Sequence, residues 1–157
     1  MLNFKLFKEL SLIKITYIIS FFGIFFDQLT KYYARLYLAS ESFQFGFLRF
    51  DLVYNTGAAY GYLSNYTKPL LIIGILVIFY LVYAMKSLIE SPLTVLAYGS
   101  IFAGACGNTF DRLISGKVTD FINIQIIYVF NIADILLNIG IVFIILDYVV
   151  QRKINEN

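Results

Sequence analysis

The sequence predicts an all-α integral membrane protein with four transmembrane helices and one short β-rich excursion. Three observations carry that prediction. Of the 157 residues, 60% are hydrophobic and only 14% charged, and the mean hydropathy of +0.78 lies well outside the range of soluble domains. The apolar residues gather into four runs, each near the roughly 20 residues needed to cross a 30 Å hydrocarbon layer. Between the first and second runs, residues 40–67 turn polar-leaning and alternate with a period of two, as strands do. The expected organisation is a single membrane domain over residues 1–157, with spans near 12–33, 69–88, 92–113 and 131–151. The composition also excludes functions. A net charge of +2 with no basic run gives no sign of a nucleic-acid partner, and a chain with no histidine and the single Cys106 can form neither a Cys/His zinc site nor an intrachain disulfide. Ser-His and Cys-His catalysis are excluded for the same reason; neither metal nor cofactor is expected.

Lys5, Lys8 and Lys14 precede the first apolar run, Ile15 to Phe26, imitating a secretory signal, but no small-x-small cleavage site follows. The run is therefore read as a retained span, closed by Asp27-Gln28-Leu29-Thr30-Lys31 and an aromatic belt of Tyr32, Tyr33 and Tyr37. Asp27 and Lys31 stand four apart, acid before base, the favourable order for a helical pair; a snorkelling anchor at the helix end is the alternative. In the next segment Phe43, Phe45 and Phe47 alternate, then the phase slips to Leu48, Phe50, Leu52 and Tyr54, which predicts strand structure with a bulge at the slip. It ends in Asn55-Thr56-Gly57-Ala58-Ala59-Tyr60-Gly61, a turn by composition. Pro69 to Met85 is uninterrupted apolar scaffold, and Ser91-Pro92 supplies an N-cap and a first-turn proline for the third span.

Along that third span Ser100, Gly104 and Asn108 recur every four residues, as do Ala103, Gly107 and Asp111. Small residues at this spacing admit a neighbouring helix, and close packing is the favoured role of the glycines. It does not account for Asn108, Asp111 and Arg112 at the end of the span. Gly116 stops the helix, Val118 to Tyr128 is rich in β-branched and aromatic residues, and Asn131, Asp134 and Asn138 form a polar stripe on the fourth span. Four spans put both termini on one side. Setting aside Lys31, Arg35 and Arg112 as local partners at helix ends, the remaining lysines and arginines place the termini inside, so that residues 40–67 and the connection 115–130 lie outside. Asp27, Asn55, Asn108, Asp111, Asp120, Asn131 and Asp134 then share one membrane face.

Ionisable groups near hydrocarbon depth cost at least a few kcal/mol each and usually pair, line a wet cavity or perform chemistry. Asp120 leaves the third span and Asp134 enters the fourth. Two carboxylates held close share a proton, so that one is a base and the other an acid, the set needed to activate water on an amide and protonate its carbonyl. Neighbouring Asn and Arg groups would orient the pair and a substrate backbone, or Arg112 would hold the loop by pairing with Asp111. Three other readings use the same residues or their neighbours: a small proton-coupled membrane transporter relaying protons through Asp27, Asp120 and Asp134, a Ser-Lys peptidase built on Ser64 and Lys68 or on Ser115 and Lys117, and an assembly factor whose polar groups only lock helices.

Four ordered motifs carry a resemblance: Asp27-x3-Lys31; Asn55-Thr-Gly-Ala-Ala-Tyr; Gly104-x2-Gly-Asn-x2-Asp-Arg-x3-Gly-Lys-Val-x-Asp-Phe-Ile; and Phe130-Asn-x-Ala-Asp134. Together they resemble the bacterial lipoprotein signal peptidase, signal peptidase II, over nearly the whole chain. The resemblance implies an aspartic intramembrane protease of the bacterial cytoplasmic (inner) membrane that cuts diacylglyceryl-modified prolipoproteins before the lipidated cysteine. It implies a dyad of Asp120 and Asp134 toward the outer face, a small extracytoplasmic β cradle from residues 40–60 over the site, and supporting positions at Asp27, Lys31, Asn55, Gly104, Asn108, Asp111, Arg112 and Asn131. Membrane lipids and cyclic peptide inhibitors of the globomycin type are the implied partners. Tyr60, Cys106, Ile135 and a short Asp120 to Asp134 connection depart from the family pattern and bear on loop shape and on substrate or inhibitor preference, without removing a catalytic group.

Overall fold

A computed structural model describes residues 2–57, 66–126 and 128–156, with side chains from Leu10 onward. Ala58, Ala59, Tyr60 and Gly61 of the second motif, Ser64, and the side chains of Lys5 and Lys8 lie outside the described residues. Among the described residues, four helices are long and apolar enough to cross a membrane: α1 (Leu2–Tyr37), α2 (Thr67–Leu88), α3 (Pro92–Ser115) and α4 (Ile132–Asn155). Three strands among the described residues, β1 (Phe43–Phe45), β2 (Leu48–Asn55) and β3 (Val118–Asn123), form one antiparallel sheet in the order β1-β2-β3. Four helices with a small sheet at one end of the bundle are the fold class that the sequence predicts.

The helices are inside-out. On α1 the buried positions are Thr16, Ser20, Asp27, Lys31 and Ala34, a single helical stripe, whereas Phe21, Phe22, Phe25 and Phe26 point outward. Lipid is as apolar as a phenylalanine face, so burial of apolar groups does not drive helices together; small residues and hydrogen bonds do. Ser20 Oγ accordingly donates to the Gly99 carbonyl at 3.2 Å. A Cβ on Gly104 would fall against the Ala133 carbonyl and within 2.7 Å of Leu137 Cγ, so α3 and α4 touch backbone to backbone there. The apolar cluster of Met85, Ile89 and Val95 occupies the end of the bundle nearer the termini, with Leu12, Ile13, Ile19 and Tyr98 packed on it.

Local chemistry sets the helix ends. Ser91 accepts from Thr94 N, while the Thr94 side chain accepts from the Ser91 backbone, a reciprocal cap with Pro92 in the first turn. Gly116 ends α3 in the left-handed region at φ 71°, a conformation that favours glycine. Asn131 and Asp134 make the second reciprocal cap, at the start of α4.

The phase slip at Phe47 to Leu48 is a hairpin, not a bulge. Phe45 pairs with Leu48, leaving Gly46 and Phe47 as a two-residue loop in which Gly46 takes φ 61°, the conformation tight hairpins require. A shift of register does occur, later, between Phe50 and Val53 where β2 meets β3. The connection after β3 folds back through a bridge between Ile122 and Phe130, which returns the chain beside Asp120 in time to start α4.

A Gly104→Ala substitution tests the close α3/α4 approach. Overpacking of this kind costs about 1–3 kcal/mol, so the thermal transition of the variant in detergent is expected below that of the parent, while Gly116→Asn, at a position with open space for a Cβ, is expected to fall less.

Candidate active site

The site begins on α1. Asp27 and Lys31 face the bundle, and both are wholly buried, so the pair is internal and not a snorkelling anchor. Their ion pair is 2.9 Å long. Asp27 Oδ1 accepts the Ala133 N–H at 2.8 Å, tying α1 to the first turn of α4. Lys31 Nζ also donates to Asn108 Oδ1 at 3.1 Å and approaches Asp111 Oδ2 at 3.4 Å. Asp111 in turn accepts the Thr119 N–H at 2.9 Å, pinning the start of β3 to the end of α3.

Asp111 has Lys31 and, at 4.0 Å, Arg35 as its cations. Arg112, expected as one alternative to pair with Asp111, forms no ion pair with it among the described residues; adjacent helical side chains diverge and do not face each other. The Arg112 guanidinium reaches the Asn108 and Gly57 carbonyls at 3.4 and 3.5 Å, and its buried Nε has no partner among the described residues. It feels the charges of Asp134, Asp120 and Asp111.

Asp120 and Asp134 meet through two amides. Asn131 Nδ2 donates to Asp120 Oδ1 at 2.6 Å and to Asn108 Oδ1 at 3.2 Å, and Asn108 Nδ2 donates to Asp134 Oδ1 at 2.8 Å. Asp134 Oδ2 accepts the Asn131 N–H at 3.1 Å. Val53 lies opposite Asp120 across the sheet, so Asn55, two residues on and on the same face, brings Nδ2 to Asp120 Oδ2 at 3.0 Å. Its Oδ1 meanwhile accepts the Gly57 N–H at 2.9 Å: one residue makes the turn and touches the carboxylate. Gly104 stands apart from this network, against Ala133 and Leu137.

Asp120 belongs to β3, outside the spanning helices, and is only 2% exposed. Burial, with the neighbouring charge of Asp134, pushes its carboxyl up to about 6, against the opposing effects of Asn55, Asn131 and Lys31. The balance of formal charge agrees. Asp27, Asp111, Asp120 and Asp134 share this region with Lys31, Arg35 and Arg112, so four acids face three cations and one retained proton makes the cluster neutral.

Gln28 was not singled out by its sequence position. Its Nε2 lies 3.0 Å from Asp27, 3.2 Å from the Gly107 carbonyl and 3.3 Å from Asp111, a cross-link between α1 and α3. Its place beside Asp27, in the polar cluster that closes the first apolar run, is the signal that could have found it. Ser115 and Lys117 do not form a nucleophile and base: the hydroxyl donates to the Asp111 and Lys117 carbonyls, and the ammonium sits over the Tyr54 ring at 3.5 Å.

Beside Asp134 a groove of about 520 Å³ runs along the outer surface of α4, lined by Tyr128, Phe130, Ile135, Asn138, Ile139, Val142 and Phe143. Asn138 faces this groove; its amide donates to the Asp134 backbone carbonyl. A second cavity of about 460 Å³ separates the end of α1 from the sheet, between Tyr33, Tyr37, Phe43, Phe50 and Phe121.

The family model described as Signal peptidase (SPase) II matches residues 19–150. A lipoprotein signal peptidase of Caldanaerobacter subterraneus subsp. tengcongensis is 38% identical over 136 residues, covering 84% of this chain and 92% of the relative. One of Staphylococcus aureus (strain JH9) is 38% identical over 137 residues, covering 82% and 84%. A bacterial membrane enzyme solved by the in meso method at 2.3 Å superposes with a TM-score of 0.78 at 34% identity, covering 90% of this chain and 91% of that one. The fold and these likenesses define a multi-pass bacterial membrane peptidase with a polar cluster at one end of a four-helix bundle. The chain belongs to the signal peptidase II family.

Between the ordinary carboxylate value of 3.8 and about 6, the folded chain holds a proton at Asp120 that the unfolded chain has released. Ionising Asp120 therefore removes stability as pH rises through that window, and the loss is complete above it. Infrared titration of the protonated carboxyl band, assigned with Asp120→Asn, is expected to give a midpoint near 6. Asn55→Ala, which deletes a donor to the ionised form, is expected to move it up, and Asp134→Asn, which deletes the like charge, to move it down.

Proposed function

We propose that this chain is an aspartic endopeptidase that removes signal peptides from diacylglyceryl-modified prolipoproteins, cutting before the lipidated cysteine with Asp120 and Asp134. The family supports the peptidase activity and the prolipoprotein substrate. The observation that carries the mechanism is the double placement of Asp134: one oxygen is joined through Asn108 and Asn131 to Asp120, and the same residue lines the groove along α4. A scissile bond at the mouth of that groove would meet Asp134 directly, with the buried Asp120 behind it across the Asn108 and Asn131 amides, while acyl or signal-peptide carbons remain in an apolar channel.

The ionised carboxylate takes a proton from water as the oxygen attacks the scissile carbonyl carbon, and the protonated carboxyl gives its proton to the carbonyl oxygen. The tetrahedral intermediate collapses by breaking the carbon–nitrogen bond. The proton taken from water passes to the departing amine of the cysteine, and the hydroxyl proton of the intermediate returns to the dyad. Arg112, whose buried Nε has no partner among the described residues, is the candidate to hold a substrate carbonyl. Residues 1–157 act as one membrane domain, with both termini cytoplasmic and the sheet and site toward the outer face. Cyclic peptides of the globomycin type would compete for the dyad and its groove. The carboxylates gather at one end of the bundle, which disfavours a proton path across the bilayer.

Purified protein in detergent should shift a prolipoprotein on a gel only when the substrate carries its diacylglyceryl group. Asp120→Asn and Asp134→Asn are each expected to stay folded and lose cleavage by about 10⁴-fold or more, whereas Ser115→Ala should cleave within about twofold of the parent. Wild-type cleavage by either Asn variant removes that residue from the mechanism.

A further inference from the structure

An ammonium has three N–H donors and no acceptor. All three of Lys31's are directed at oxygens: Asp27 Oδ2 at 2.9 Å, Asn108 Oδ1 at 3.1 Å and Asp111 Oδ2 at 3.4 Å. Since an ammonium can meet only the oxygen of a side-chain amide, Lys31 fixes which way round the Asn108 amide lies, together with the Asn131 Nδ2 donor to the same oxygen. The nitrogen must then face away, and it donates to Asp134 Oδ1. Asn131 is locked in the same manner: its Oδ1 accepts the Asp134 N–H at 3.0 Å, so its nitrogen is left to serve Asp120 and Asn108.

We propose that Lys31 is a positioning residue for catalysis, acting through the Asn108 amide to keep a donor on Asp134, so that Asp134 is the ionised, water-activating member of the pair and Asp120 carries the proton. This rests on the aspartic peptidase reading above. A reversed Asn108 amide would turn its oxygen toward Asp134 Oδ1, a contact that is favourable only when Asp134 is protonated, and the proton would be drawn to the wrong partner. The fold adds to the same asymmetry. Asp134 sits in the first turn of α4, where the helix dipole favours negative charge, and it is half-exposed at the groove. Asp120 lies in a strand and is buried. The charged groups around the pair are Arg112 and Asp111 on α3 and Lys31, Arg35 and Asp27 on α1.

Lys31→Met alone would strand the buried Asp27 carboxylate and take from Asp111 the nearer of its two cations, so the informative variant is Asp27→Asn with Lys31→Met, which leaves Asp111 its Thr119 and Gln28 donors. With a diacylglyceryl-prolipoprotein in detergent, this variant is expected to keep KM within about threefold and to lose about a hundredfold in kcat. The acid limb of its kcat profile should move to higher pH, because the ionised form of the proposed base has lost a hydrogen-bond donor. Adding Asn108→Ala should lower kcat by less than about threefold more, whereas the same change in the parent costs about a hundredfold, since both act through one amide. A folded pair variant with the parent's kcat and acid limb overturns the proposal, as do losses that multiply. If the pair variant does not fold, Asn108→Ala, which leaves the ion pair intact, decides alone: an unmoved acid limb overturns it, and a limb moved upward supports it. Asp134→Asn separates the two failures. Cleavage by that variant defeats the aspartic reading itself, whereas a dead Asp134→Asn beside unaffected Lys31 and Asn108 variants defeats only the role of Lys31.

Discussion

A single buried cation holds the sheet end of this bundle together. The Lys31 ammonium and the three oxygens around it span α1 and α3, and Asp27 extends the same contact to the backbone of α4. Breaking a buried ion pair by removing one partner typically costs about 3–5 kcal/mol, because the other charge is left without compensation. In lipid there is little apolar driving force between helices to offset such a loss. The bundle therefore divides its labour. Met85, Ile89 and Val95 pack the end nearer the termini, whereas the opposite end is registered by charges and amides whose geometry leaves little freedom.

That rigidity matters for acid-base chemistry. In the proposed mechanism the protonation of the carboxylate pair depends on the whole cluster, in which Asp27 and Asp111 are already committed to Lys31 and Arg35. The remaining differences between Asp120 and Asp134 are structural: a strand against a helix N-terminus, and full burial against contact with a groove. In the proposed mechanism, those differences assign acid and base.

Much of this arrangement could be read locally. The spans follow from hydropathy, the start of α3 from Ser91-Pro92, and the Asp27–Lys31 pair from a spacing of four, whereas Asn131 and Asp134, legible as a polar stripe, also cap α4 reciprocally. Family motifs marked Asp120 and Asp134, but their mutual geometry depends on the Ile122–Phe130 bridge, a contact that no local pattern encodes. The slip at Phe47 was visible and its cause was not, because alternation changes phase identically at a bulge and at a two-residue loop; only the pairing of Phe45 with Leu48 distinguishes them. Arg112 and Asp111 looked like partners because they are adjacent, although adjacency on a helix separates side chains. Gln28 escaped notice because its acceptors come from α3, far away in sequence.

The groove beside Asp134 is walled on one side by the outer surface of α4, where Val142 is 53% exposed. In a bilayer that surface is solvated by acyl chains, so an occupant arrives by lateral diffusion from the leaflet and displaces lipid instead of water. Its occupancy is then governed by mole fraction in the membrane: diluting the protein with buffer leaves saturation unchanged, while diluting it with lipid or detergent lowers it.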